Sequence, residues 1–160
     1  MKVEDVKQSF INYGLTLGSV ESFTGGLFAS TITSISGASK FYKGGYITYA
    51  TEEKINLLMI PKEIIDRFGV VSKEVAYHMA NNARQLLKTD YCVSFTGNAG
   101  PEAMEGKPVG EVHMCIASAQ DAQVYSLRLE GTRNEIQKQA VDFVLEKIFE
   151  LFSKKSQQKS

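Results

Sequence analysis

The chain has 160 residues, 43% of them hydrophobic and 22% charged, a size and balance that suit one globular domain able to bury a core without disulfides or a structural metal. Lys plus Arg and Asp plus Glu each number 18, for a net charge of zero, which argues against a general nucleic-acid binder because such proteins carry a basic excess. The start, Met1-Lys2-Val3-Glu4-Asp5, holds no apolar signal region, and no apolar run is long enough to cross a bilayer, so a cytoplasmic protein with no membrane partner is expected.

Val3, Val6, Phe10 and Tyr13 recur at helical spacing, and Gly14 can end that helix. Leu15 to Val20 reads as strand one. Val20-Glu21-Ser22-Phe23-Thr24-Gly25-Gly26 then passes from a strand end to a helix start, where an α/β protein places a nucleophile or an anion-binding turn. Leu27, Phe28, Ile32 and Ile35 form a helical stripe that stops in Ser36-Gly37-Ala38-Ser39. Gly44-Gly45 reads as another break, with strand two over Tyr46 to Tyr49. Thr51, Glu52 and Glu53 open a helix. Pro61 opens a short one that Gly69 closes. Ser72 caps a long helix to about Lys88, with Val75, Ala76, Met79, Ala80, Ala83, Leu86 and Leu87 on its apolar face.

Tyr91 to Phe95 is strand three. Thr96 to Gly110 is a long glycine-rich loop holding Pro101 and Pro108, and loops of that length in a compact domain are functional or mobile. Glu111 to Ser118 and Gln123 to Glu130 read as a hairpin of strands four and five. Thr132-Arg133-Asn134-Glu135 has the capping-box pattern, and Ile136, Ala140, Phe143, Val144, Ile148 and Leu151 give the last helix its apolar face. Residues 1–152 form a single domain in this reading, and 153–160 a polar, frayed tail. Cys92 and Cys115 sit in apolar strand runs and read as reduced, buried thiols. No cysteine or histidine spacing suggests a metal site.

Helices separate strands one to three, so these are parallel, while strand four follows strand three without a helix and is antiparallel. The expected fold is a three-layer α/β/α sandwich over a mixed, mostly parallel five-stranded sheet. Ligands of such sheets bind beyond the carboxyl ends of the parallel strands. There the fold would gather Glu21, Ser22 and Thr24-Gly25-Gly26 from strand one, Tyr49 and Lys54 from strand two, and Thr96-Gly97-Asn98-Ala99-Gly100-Pro101 from strand three.

That inventory suits hydrolysis of a small amide or ester. A serine needs a base, and neither His78, in mid-helix, nor His113, in a strand, is positioned to serve. A lysine can do so if burial or a neighbouring cation lowers its pKa; by position Lys54 is the candidate, with Tyr49 alongside. Arg133 would bind a phosphate or carboxylate. Each residue also has a plainer reading. Ser22 would cap a helix, Tyr49 would be a strand aromatic and Lys54 a solvated helix residue, Gly97 and Gly100 would be turn residues, and Arg133 would sit exposed in a first turn. Glu21 would orient Lys54, meet a ligand hydroxyl, or be an exposed strand end.

Taken in order, Glu21-Ser22-x-Thr24-Gly25-Gly26, Gly44-Gly45 before Tyr49 and Lys54, Thr96-Gly97-x-Ala99-Gly100-Pro101, Lys107-Pro108-Val109-Gly110 and Gly131-x-Arg133 resemble the CinA C-terminal-domain family, from about residue 5 to residue 150. Phe23, Thr51, Asn98 and the 102–106 loop depart from the family pattern. The resemblance implies an amidohydrolase that converts nicotinamide mononucleotide to nicotinate mononucleotide and ammonia in pyridine nucleotide recycling. It also implies a sandwich fold, a homodimer, and no metal or organic cofactor. In its terms Ser22 is the nucleophile, Tyr49 and Lys54 complete the catalytic set, and Arg133 with the glycine-rich loops holds the nucleotide. Backbone N–H groups near Thr24-Gly25-Gly26 or Thr96-Gly97 would hold the oxyanion. The alternatives are a non-catalytic nucleotide-binding or competence-related regulatory module with the same pocket, and a hydrolase of another small amide or ester.

Overall fold

Five strands form one sheet in the order β2-β1-β3-β4-β5 in a computed structural model that describes residues 2–159, with side chains for 3–157. Met1 of the opening segment and Ser160 of the expected tail lie outside these residues. The strands are β1 (Leu17–Glu21), β2 (Tyr42–Ile47), β3 (Tyr91–Gly97), β4 (Glu111–Ser118) and β5 (Ala122–Arg128). β1 pairs in parallel with both β2 and β3, while β3–β4 and β4–β5 are antiparallel. The six α-helices are α1 (Lys2–Tyr13), α2 (Leu27–Thr33), α3 (Thr51–Asn56), α4 (Lys62–Phe68), α5 (Lys73–Leu87) and α6 (Arg133–Lys159).

Two apolar clusters account for the layers. On one face Val6 and Phe10 of α1, Phe28 and Ile32 of α2, and Ile136, Val144 and Ile148 of α6 pack on Leu17, Val93, Phe95 and Met114 of the sheet. On the other, Val75, Met79 and Ala83 of α5, Ile65 of α4, and Leu58 and Ile60 pack on Val20 and Cys92. Successive strand residues point to opposite faces, so β1 sends Leu17 into the first cluster and Val20 into the second. The sandwich and the strand directions are those expected from the sequence.

Two elements differ. Gly44 and Gly45 are not a break but the middle of β2. A Cβ on Gly45 would lie 2.5 Å from Ser19 Oγ and 2.6 Å from Ser19 O, so the glycine permits close approach of two strands rather than a turn. Ser19 Oγ and Tyr42 Oη are 2.6 Å apart across the same pair. At the other end, α6 continues to Lys159 through the segment expected to fray. Phe152, 3% exposed, packs its ring on Phe10, Tyr13 and Tyr91. The residues after it contain no glycine or proline to stop the helix.

Candidate active site

The carboxyl ends of β1 and β3 and the segment after β2 border a cleft of about 340 Å³. Ser22, Phe23, Tyr49, Gly97, Gly100 and Arg133 are among its lining residues. Ser22 follows the last residue of β1, and its N–H donates to Phe95 O at 2.9 Å, which fixes it against β3. From here the chain divides its side chains between the two layers. Glu21 turns into the α2 layer, where Oε1 accepts from Thr24 Oγ1 at 2.7 Å and Phe28 N at 2.9 Å and Oε2 accepts from Ala29 N at 3.0 Å. Ser22 turns to the side where α3 brings Lys54.

Lys54 is 1% exposed. Its Nζ lies 3.0 Å from Ser22 Oγ, 2.6 Å from Thr48 O and 3.4 Å from Tyr49 O. Burial lowers its pKa to about 8, with Glu105 and then Glu52 opposing the shift. A neutral amine has two N–H groups and one lone pair. As an ammonium, Nζ donates to all three oxygens; as a neutral amine with its N–H groups on the two carbonyls, it has the lone pair left for the Ser22 hydroxyl. At pH 7 a lysine of pKa about 8 is neutral about a tenth of the time, roughly 300-fold more often than an ordinary one.

The other expected residues fall into two sets. Tyr49, Gly97, Gly100 and Arg133 border the cleft; Glu21, Thr24, Gly25, Gly26 and Thr96 do not. Tyr49 departs from its expected part. The residue is 59% exposed and its phenol oxygen accepts from Arg133 Nη2 at 2.8 Å, so only its backbone carbonyl reaches Lys54. Arg133 Nη1 also donates to Gly100 O. Of the five guanidinium N–H donors, these two bonds use two and leave the rest for a ligand. Glu21 neither orients Lys54 nor lies exposed: it is a buried carboxylate that caps α2. Thr24 spends its hydroxyl on that carboxylate, and Thr96 donates its own to Val70 O at 2.7 Å. Gly25 and Gly26 have φ of 58° and 103°, the left-handed region that lets the chain reverse into α2.

The N–H groups expected near an oxyanion are also sorted by the turn. That of Gly25 donates to Ser22 O and that of Asn98 to Glu111 O. The N–H of Phe23, next to Ser22 and in the cleft wall, donates to no acceptor among the described residues. Asn98 is 4% exposed, and its amide is consumed within the loop, donating to Glu102 O and accepting from Gly100 N, both at 2.9 Å. Neither histidine approaches Ser22. His78 stands edge-on to Tyr77, and His113 is held between Ser126 Oγ at 2.7 Å and Glu111 Oε2 at 2.9 Å. Sequence reasoning missed the carbonyls of Thr48 and Tyr49 and the Phe23 N–H. Backbone groups carry no residue signature, so no motif announces them.

Comparison with known proteins identifies the family and the fold. The family model described as the CinA C-terminal domain matches residues 2–152. A protein of Bacillus subtilis (strain 168) named "Putative competence-damage inducible protein" is 40% identical over 142 residues, 89% of this chain and 34% of that one. A protein of the same name from Streptococcus pneumoniae (strain 70585) is 41% identical over 129 residues, 81% of this chain and 30% of that one. The chain thus spans about a third of the length of these curated relatives. A crystal structure of a competence-damaged protein (CinA) superfamily protein from Klebsiella pneumoniae 700603 superposes with a TM-score of 0.92 at 27% identity, covering 95% of this chain and 96% of that one. The competence/damage inducible protein CihA from Agrobacterium tumefaciens gives 0.86 at 31% identity, covering 94% and 96%. By sequence match and by fold, the chain belongs to the CinA C-terminal-domain family.

Proposed function

We propose that this chain is an amidohydrolase that deamidates nicotinamide mononucleotide to nicotinate mononucleotide and ammonia, with Ser22 as nucleophile and Lys54 as its base. The observation that carries the reading is the buried Lys54 Nζ 3.0 Å from Ser22 Oγ. A lysine side chain taken out of water beside a hydroxyl is costly for folding and has a use in activating that hydroxyl.

Neutral Lys54 takes the Ser22 proton as Oγ attacks the carboxamide carbon. The negative charge on the carbonyl oxygen is met by the Phe23 N–H, a donor whose removal typically costs ~3 kcal/mol of transition-state stabilisation. The lysine ammonium returns its proton to the departing nitrogen, ammonia leaves, and water resolves the acyl-enzyme by the same base. Phe23, packed edge-on against Phe95, and Pro101 supply apolar surface in the cleft for a flat ring, and the unspent N–H groups of Arg133 meet the phosphate.

The test is ammonia release from nicotinamide mononucleotide by the purified chain, with Ser22→Ala and Lys54→Ala beside it. Release by the parent, and loss of at least ~1,000-fold in kcat in each variant, is expected for two groups acting as a unit. Nucleotide binding without ammonia release would leave the cleft as that of a binding module.

A further inference from the structure

Glu111, His113 and Ser126 place a second serine in line with a base and a carboxylate, away from the cleft. β5 lies three strand spacings from β1 in the sheet order, roughly 14 Å, so this group is separate from Ser22 and Lys54. His113 stands opposite Ser126 in the β4–β5 register, and Glu111 precedes it by two residues on the same face of β4. His113 Nε2 is 2.9 Å from Glu111 Oε2, and Nδ1 is 2.7 Å from Ser126 Oγ. The histidine is 8% exposed, whereas Ser126 is open to solvent.

The proton order follows from the donors at hand. A carboxylate only accepts, so Nε2 carries the hydrogen between His113 and Glu111. In a neutral ring the lone pair is then on Nδ1, and the Ser126 O–H donates to it. The two ring nitrogens exchange the parts they play in the common serine triad, but the line is the same. Glu111 is held in turn. Its Oε2 lies 3.9 Å from Lys107 Nζ, which donates to Val71 O at 2.6 Å and Phe68 O at 3.3 Å. A cross-strand bond for packing needs only Ser126 and one ring nitrogen. The carboxylate adds what a base needs, a single tautomer and a partner for the imidazolium.

The backbone supplies the remaining group. Leu129 N donates to Gly110 O at 2.8 Å and Ser118 N to Asp121 O at 2.7 Å, at the two ends of the β4–β5 register. Bonded and non-bonded pairs alternate along an antiparallel ladder, which makes His113 and Ser126 a non-bonded pair. The Ser126 N–H therefore points away from β4. Because β5 is the edge strand, this donor lies outside the ladder, beside its own Oγ.

We propose that Ser126, with His113 as base and Glu111 as the carboxylate that orients it, is a second acyl-transfer site that takes small activated esters from solvent. A single backbone donor at an exposed strand edge suits an ester with a good leaving group rather than an amide. Ser126 Oγ attacks the ester carbonyl as its proton passes to His113 Nδ1. The Ser126 N–H meets the oxyanion. The bond to the leaving oxygen breaks, and the alcohol departs with the proton from His113. Water then attacks the acyl-serine through the same base, releasing the acid and restoring the hydroxyl. None of this rests on the amidohydrolase reading.

The experiment uses the full chain carrying Ser22→Ala, so that the cleft contributes no nucleophile, with 4-nitrophenyl acetate as the probe. Released nitrophenol gives the rate, and peptide mass mapping locates the acetyl group. Acetylation of Ser126 is expected, and Ser126→Ala abolishes it. Adding His113→Gln slows acetylation at Ser126 at least ~100-fold, the usual contribution of a general base. Glu111→Gln, at a partly exposed position, slows it at least ~10-fold because an amide no longer holds one tautomer, and it is the measurement to use if His113→Gln fails to fold. Acetyl groups found only on lysines would overturn the proposal. So would acetylation of Ser126 at the same rate with and without the His113 and Glu111 substitutions, since the three residues would then be a packing contact beside an ordinary hydroxyl.

Discussion

Tyr49 separates the part a residue plays through its backbone from the part it plays through its side chain. Its carbonyl, with that of Thr48, receives the Lys54 amine, and any residue at position 49 would supply it. Its phenol faces the other way, onto Arg133, at the rim of the cleft. Tyr49→Phe removes that one exposed hydrogen bond and nothing from the Ser22–Lys54 pair. The expected result is a rise in KM of about fivefold with kcat changed less than about twofold, since a single exposed bond is worth about 1 kcal/mol. Steady-state kinetics on nicotinamide mononucleotide decide it. A hundredfold fall in kcat would instead restore the phenol to the catalytic set.

At the scale of elements, the position of Ser22 depends on how β1 hands over to α2. Gly26, the residue before α2, offers no side-chain cap, and the free N–H groups of a helix start need acceptors. Glu21 supplies them from the strand, with bonds to Phe28 N and Ala29 N and a third to Thr24 Oγ1. Because Glu21 immediately precedes Ser22, the cap also fixes the strand-to-turn geometry. Glu21→Ala leaves these buried donors unpaired and is expected to cost about 3 kcal/mol of folding stability, with Glu21→Gln costing about half. Urea unfolding measures both; a loss under 1 kcal/mol in the Ala variant would refute the cap. The same handover shows what the sequence could and could not disclose. Apolar strand runs and helical spacing located β3, β4 and α5, and the rule for parallel strand ends brought Ser22 and Lys54 together. Gly44-Gly45 misled because a glycine pair reads as a turn unless the neighbouring strand is known to press on it. The cap by Glu21 joins groups whose meeting depends on the finished fold, so no local pattern carries it.

For the molecule as a whole, the buried lysine has a cost that appears in the pH dependence of folding. The Lys54 pKa falls from 10.5 in the unfolded chain to about 8 in the fold. Below pH 8 both states hold the proton, and the folded state bears the full penalty of a buried ammonium. Between about 8 and 10.5 the unfolded chain still binds a proton that the fold has released, so stability rises with pH, and above 10.5 the rise ends. By pH 10 the gain is about 2.5 kcal/mol. Other buried groups act in the opposite sense at overlapping pH. Burial raises Tyr42 and Cys115 each to about 12 and pushes Cys92 up as well, so stability held below their ordinary values is lost as pH climbs above them. The parent's own profile therefore mixes these contributions, and the difference between the parent and Lys54→Met isolates the lysine. The methionine variant is expected to be the more stable protein at pH 7 and to lose about 2.5 kcal/mol of its advantage by pH 10. Urea midpoints at the two pH values measure the change. An advantage that does not vary with pH would mean that Lys54 titrates as an ordinary lysine, and the proposed base would then be almost wholly protonated at neutral pH.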